Sequence, residues 1–245
     1  MRVFVHGVPE TAVVWQTLQE AVGGPSVALT LPGFGTGLPA GFTPTKDQYA
    51  SWLTDELKKI PGPIDLVGHD WGALLTMRVA TVGEVRLRSW ICDVGSVFHP
   101  EYAWHPWAAT LISPDQGEET LLRRRQSSPE EAGALMTGSG VPADAAAEMF
   151  AALDETMSRC ILGLYRSAVP NVSADWGALA QAPTAAPGMI LLPTEDRVDY
   201  EDLSRQMADR LGARTEILDG MGHWWMYDGT GKVASALNEF WAAVE

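Results

Sequence analysis

A chain of 245 residues that is 46% hydrophobic can bury one large core but falls short of two ordinary independent domains. Its formal net charge of −14 argues against nucleic acid and anionic membrane surfaces as partners, because a phosphate ligand needs clustered Lys and Arg to release its counterions. No apolar run reaches the roughly 18 residues of a spanning helix and Met1 opens no charged-then-apolar leader, while Cys92 and Cys160 are too isolated to suggest a disulfide framework, so a cytoplasmic protein is expected.

Taken in order, Arg2 to Val5 reads as a buried strand ending at His6-Gly7-Val8-Pro9. A helix follows from Thr11 to Val22, with Val14, Trp15 and Leu18 on one side. Ser26 to Leu31 is a second strand, stopped by the punctuated loop Pro32-Gly33-Phe34-Gly35. Thr45 and Gln48 form a capping-box pattern for a helix carrying Tyr49, Trp52, Leu53 and Leu57. Ile64, Leu66 and Val67 run into Gly68-His69-Asp70-Trp71-Gly72, and a helical pattern to about Val82 runs out of it. A strand over Val85 to Val94 completes this half. Strands alternating with helices give a parallel sheet covered on both faces.

After Gly95 the alternation stops and the chain becomes helical, Ala-rich and rich in Trp and Met. Residues 96–183 therefore read as a helical insertion into a core formed by 1–95 and 184–245. Within it Met149, Phe150, Leu153, Met157, Ile161 and Leu164 fall at helical spacing, which places Tyr165 at the end of one amphipathic helix. Arg123-Arg124-Arg125, standing among Glu118, Glu119, Glu130 and Glu131, reads as a solvated helix face. The alternation resumes with a strand over Met189 to Leu192, a helix from Asp199 to Leu211, a strand over Thr215 to Leu218, and a last helix carrying Val233, Leu237, Phe240 and Trp241.

Three side chains follow strands: Asp70, Asp196 and His223. Catalytic groups of an open parallel sheet collect at the carboxyl ends of its strands, so these can converge although they are far apart in sequence. Small residues on both sides of Asp70 let strand and helix pack closely and push the central side chain into an exposed, strained position. In this order of nucleophile, acid and histidine the chain resembles the α/β-hydrolase fold family, with His6-Gly7-Val8-Pro9 matching its oxyanion loop, Gly68 to Gly72 its elbow and Gly222-His223 its histidine loop. Gly-His-Asp-Trp-Gly together with His-Gly-x-Pro is similar to the epoxide hydrolase and haloalkane dehalogenase branch.

That resemblance implies an α/β fold with an inserted helical cap and a hydrolase without cofactor or metal. Asp70 attacks saturated carbon and leaves a covalent alkyl ester, His223 held by Asp196 activates water, and the N–H groups of Val8 and Trp71 form the oxyanion hole. Asp70 is expected to be ionised, facing a helix start and those two donors. Tyr165-Arg166 resembles the cap tyrosine of epoxide hydrolases, with Tyr102, His99 and His105 as candidates for a second cap donor. For a dehalogenase Trp71 supplies one indole N–H, the usual Asn is Val8 here, and Trp104 or Trp107 stands in. The elbow of the fluoroacetate type carries Arg where this chain has Trp71.

The expected activity is opening of a small or medium apolar epoxide to a vicinal diol. The alternatives are a haloalkane dehalogenase using the same ester, and a non-catalytic ligand-binding protein on a hydrolase scaffold. His6 and His69 read as loop braces, Asp93 as an alternative triad acid, Glu195 as solvated, and Trp224 and Trp225 as packing around His223. His99-x-Glu101 and His105 lack a coherent metal spacing. Family members usually have two strands before the His-Gly-x-Pro strand, so a sheet of about six strands is expected, with the first strand near an edge that could serve a homodimer.

Overall fold

Side chains of the central strands alternate between two faces that are both buried, and this fixes the layering. The structure, a computed structural model, describes residues 1–244, and the side chains of all but residues 129, 130, 132 and 135. In chain order the elements are β1 (Arg2–Val5), α1 (Gln16–Val22), β2 (Ser26–Leu29), α2 (Lys46–Lys58), β3 (Ile64–Gly68), α3 (Trp71–Val82) and β4 (Leu87–Cys92). Then come α4 (Pro106–Ile112), α5 (Gln116–Gln126), α6 (Pro129–Thr137), α7 (Ala143–Ala151), α8 (Glu155–Arg166) and α9 (Trp176–Leu179). The chain closes with β5 (Gly188–Pro193), α10 (Glu201–Leu211), β6 (Arg214–Leu218), α11 (Trp225–Asp228) and α12 (Thr230–Ala243).

The six strands form one parallel sheet in the order β2-β1-β3-β4-β5-β6, so β1 lies one strand in from the edge. Val3, Val5, Leu66, Cys92, Ile190 and Leu192 point to one face, where α2, α3 and α10 pack through Leu53, Leu75 and Met207. Phe4, Val67, Ile91, Met189 and Leu191 point to the other, against Trp15, Leu18, Val233, Leu237 and Trp241. Leu66 and Val67 are both fully buried, one on each face, and each such side chain contributes roughly 1.5–3 kcal/mol. This is why two apolar residues stand next to each other in β3 instead of alternating with polar ones.

Register then positions the loops. Val5 pairs with Gly68 and Gly68 with Cys92, so the residues that leave these strands, His6, His69 and Asp93, emerge side by side. Pro193 pairs with Leu218, which brings the turn holding Asp196 next to the one holding His223.

Local departures from the expected elements have identifiable causes. The pattern over residues 149–164 belongs to two helices rather than one. Asp154 accepts a hydrogen bond from the Met157 N–H at 2.7 Å and starts α8 afresh, a stop that apolar spacing alone does not reveal. The helix expected from Asp199 begins at Glu201, because the Asp199 carboxylate is taken up by the Ser96 hydroxyl and by Ser204 Oγ at 2.7 Å. Buried in that position, its pKa rises to about 6. The segment before α1 is a 3-10 turn over Ala12–Trp15. Among the described residues no helix is long and apolar enough to cross a membrane.

The helices between β4 and β5 are tied down by ions as well as by packing. Arg166, at the end of α8, holds Glu118 of α5 through two N–H donors at 2.6 and 2.7 Å. The buried Lys46 pairs with Asp175 at 2.5 Å, and Trp176 Nε1 donates to Asp47 at 2.9 Å.

Candidate active site

The elbow is built from close contacts that only glycine permits. A Cβ on Gly72 would stand 2.1 Å from the Val5 carbonyl oxygen, and one on Gly68 2.2 Å from that of Gly72. The tight turn leaves Asp70 at φ 50° and ψ −122°, a backbone conformation that costs of order 1–3 kcal/mol for a residue with a side chain. The Asp70 N–H is anchored by Asp93 Oδ1 at 3.0 Å.

Around Asp70 the three loops converge. The Val8 N–H donates to Asp70 Oδ1 at 2.8 Å. Asp70 Oδ2 faces His223 Nε2 at 3.9 Å, and His223 Nδ1 lies 2.8 Å from Asp196 Oδ2. Asp196 is oriented in turn by the Val198 N–H, which donates to Oδ1 at 2.8 Å. Asp196, not Asp93, therefore pairs with His223. Of the two expected oxyanion donors only Val8 touches the Asp70 carboxylate; that side chain takes no capping hydrogen bond from α3. A Cβ on Gly7 would stand 2.3 Å from Asp70 Oδ1, so the loop approaches the carboxylate as closely as a glycine backbone allows.

Burial decides the charges. It raises the Asp70 carboxyl from 3.8 to about 6, offset in part by His223, His69 and the Val8 N–H. This corrects the expectation that the helix start would dominate, although Asp70 remains mostly ionised at pH 7. Burial pulls the His223 pKa down, but Asp196 and Asp70 override it and raise it to about 9.

Beneath Asp70 lies a cluster with little local signal in the chain. His69 is fully buried between two carboxylates, with Nδ1 on Asp93 Oδ2 and Nε2 3.1 Å from Glu10 Oε1. Burial opposes its charge, yet the two acids hold its pKa well above the ordinary histidine value. Burial likewise opposes ionisation of Glu10, but the His69 charge brings that carboxyl down to about 2. The same acids anchor the histidine loop. Trp224 Nε1 donates to Glu10 at 2.7 Å and Trp225 Nε1 to Asp93 at 2.6 Å, while Glu10 also accepts the Gly7 N–H at 2.9 Å. The pair of tryptophans after His223 thus fixes that loop by hydrogen bonds as well as by packing. His69 is more than a loop brace: it is an ion that joins the oxyanion, elbow and histidine loops. His6 braces its own loop, with Nε2 accepting the Leu31 N–H at 3.1 Å and Nδ1 donating to Gly7 O at 2.8 Å.

A cavity of about 270 Å³ opens over Asp70, lined among others by Val8, His105, Trp107, Tyr165, His223 and Trp224. A larger one of about 710 Å³ adjoins it past His223 and reaches Asp196. Tyr165 is buried on the wall; burial and the nearby Asp70 raise its pKa, against a smaller opposing pull from the Trp71 indole N–H. Its ring meets that of Trp71 edge-on at 5.2 Å.

Of the candidate second donors, His105 reaches the wall, while Tyr102 and His99 do not. The Tyr102 hydroxyl turns instead to Val198 O at 3.5 Å, and His99 Nδ1 accepts the Glu101 N–H at 3.2 Å. Trp71 and Trp104 also lie off the wall, stacked on one another at 6.2 Å. Arg124 corrects the solvated reading of its basic run, for it lines the cavity. Sequence reasoning passed over Glu10 as well. Its one signal was a carboxylate two residues before the apolar run Ala12 to Trp15.

The sequence model of the alpha/beta hydrolase family matches residues 3–236. A haloalkane dehalogenase loop variant from Bradyrhizobium elkanii superimposes with a TM-score of 0.77, at 17% identity over 99% of this chain and 89% of that one. Epoxide hydrolase A from Mycobacterium thermoresistibile gives a TM-score of 0.77 at 19% identity, over 98% of this chain and 90% of its own. A thioesterase domain from the curacin biosynthetic pathway gives 0.68 at 17% identity, covering 99% and 90%. No curated protein matches by sequence. At such identities the likeness is one of fold, and the chemistry has to be argued from the side chains.

Proposed function

The chain belongs to the alpha/beta hydrolase family, and within it we propose that it opens an epoxide to a vicinal diol through an alkyl ester on Asp70. The observation that carries the proposal is that the buried Tyr165 lines the cavity that holds Asp70. An opening epoxide develops an alkoxide that needs an O–H donor, whereas a departing halide needs only weak N–H donors.

The division of labour follows from the two carboxylate oxygens. Oδ1 is held by the Val8 N–H, which leaves Oδ2 to attack an epoxide carbon. The C–O bond of the ring breaks as the ester bond forms, and the ring oxygen takes its proton from Tyr165. High pKa keeps that phenol protonated in the resting enzyme. Alkylation turns Asp70 into a neutral ester and so removes one of the charges that keep His223 protonated. His69, cationic and with its ring centroid 4.6 Å from that of His223, then favours the neutral imidazole. Once its own proton has passed to the Tyr165 phenolate across the cavity they share, His223 takes a proton from water, supplied through the adjoining cavity, as the water oxygen attacks the Asp70 carboxyl carbon. The tetrahedral oxyanion forms on Oδ1 at the Val8 N–H, with the Trp71 N–H as the second donor. The bond from the carboxyl carbon to Oδ2 then breaks, His223 returns its proton to the departing alkoxide, the diol leaves with the original Oδ2, and the new Asp70 carboxyl gives its proton back to His223.

Tyr165→Phe tests the proposal. Loss of a general acid costs roughly 10²–10⁴ in rate, so alkylation of Asp70 by an epoxide should fall by that order in rapid-mixing experiments, with hydrolysis of a preformed ester spared. An alkylation rate within threefold of wild type would leave Tyr165 without a role. Halide displacement through the same ester is the second reading, favoured by the Trp107 indole on the cavity wall. Halide release from a haloalkane with epoxides inert would put it first. The cap role of residues 96–183 belongs to the same proposal.

A further inference from the structure

Arg124 lacks the ion pairs of two arginines near it. Arg123 pairs with Glu119, and Arg166 with Glu118. Arg124 is half-buried and, among the described residues, has no carboxylate partner, although the chain holds 31 acidic against 17 basic residues. Its guanidinium carbon stands 4.8 Å from the centre of the Trp107 ring, and it lines the cavity that holds Asp70, Tyr165 and His223. Removing a cation from water without a counter-ion is costly unless a ligand brings the missing charge. Burial does lower its pKa, and no acid acts to raise it again. The neighbouring wall histidine, His105, is no rival: burial, helped by His223, lowers its pKa to about 4, so it is neutral at pH 7.

We propose that Arg124 binds a carboxylate on the substrate, so that the enzyme acts on epoxides bearing an acid group rather than on the neutral apolar epoxides expected from sequence. A guanidinium matches a carboxylate with two parallel N–H donors, and stacking on an indole fixes its plane while leaving its N–H edges available. The negative Asp70 sets the orientation. A substrate acid is repelled from the nucleophile and drawn to Arg124, which turns the epoxide carbon toward Oδ2. Arg124 is then a specificity-determining residue. The inference rests on the Asp70 ester reading only for where the reactive carbon sits.

Binding tests it without turnover. The probes are a product-like diol acid, 2,3-dihydroxy-3-phenylpropanoate, and its primary amide, titrated by calorimetry at pH 7. A charge-assisted contact of this kind should make the acid bind wild type roughly 10- to 100-fold more tightly than the amide. Arg124→Met, which keeps the aliphatic stem over Trp107, should bring that ratio near one, and Arg124→Lys should restore part of it. Wild type binding the acid no more tightly than the amide, or not at all, overturns the proposal whether or not the variants fold. So does an acid preference that survives Arg124→Met. If acid preference holds while no epoxide alkylates Asp70, the carboxylate site stands and the epoxide reading falls.

Discussion

Glu10→Gln removes one charge from the buried cluster under Asp70 and barely changes its volume. Glu10 is fully buried, accepts the Gly7 and Trp224 N–H groups at 2.9 and 2.7 Å, and lies 3.1 Å from His69. Its carboxyl falls from 4.5 to about 2 on folding, which at about 1.36 kcal/mol per pKa unit amounts to about 3 kcal/mol of stability. A similar figure, about 3–5 kcal/mol, is the usual cost of breaking one partner out of a buried ion pair. The sign follows from the lowered pKa: the contribution is fully present above pH 4.5 and is lost as pH falls from there through 2. Urea unfolding should therefore find Glu10→Gln about 3 kcal/mol less stable at pH 7, with the gap narrowed by roughly half at pH 3. The Gln side chain also offers its N–H groups to donors that need an acceptor, so the Gly7–Val8 loop should loosen and ester hydrolysis slow. A gap under about 1 kcal/mol at pH 7, or one that widens toward acid, would refute the account of this cluster.

Asp70→Asn should act in the opposite direction on stability. Burial raises the Asp70 pKa from 3.8 to about 6, so its ionised form destabilises the fold by about 3 kcal/mol above pH 6; the variant should gain that much at pH 7 and nothing below pH 3.8. The same variant should lower the His223 pKa from about 9, seen as a shifted midpoint in the imidazole proton resonance, and an unmoved midpoint would deny Asp70 a hold on His223. His223→Gln, incubated with an epoxide, should accumulate a covalent adduct on Asp70 whose added mass equals that of the epoxide; an unmodified Asp70 after substrate consumption would remove His223 from the second step.

Much of the fold was legible because its signals are local. The run into Asp70 and the glycines beside it specify a strand, a turn and a helix within a dozen positions, and regular alternation then fixes a parallel sheet. The meeting of Asp70, Asp196 and His223 followed from one rule about strand ends. What escaped depended on partners distant in sequence. Glu10 and Arg124 look like ordinary surface charges until His69 and Trp107 are brought against them, and nothing in a run of three arginines marks the middle one as inward-facing. Tyr102 and His99 stand at plausible sequence positions, but the packing of Tyr102 against Trp104 and Tyr200 turns it away from the cavity. The division between α7 and α8 was hidden because apolar spacing continues across it.

In this mechanism Asp70, not water, attacks the substrate. A single turnover with enzyme in excess over an epoxide, run in oxygen-18 water, tests it most directly. One heavy oxygen is expected in the peptide carrying Asp70 and none in the first diol released, because the diol departs with the original Oδ2. Heavy oxygen in the diol with an unlabelled Asp70 would mean direct attack by water, and would contradict the ester on which the proposed function depends.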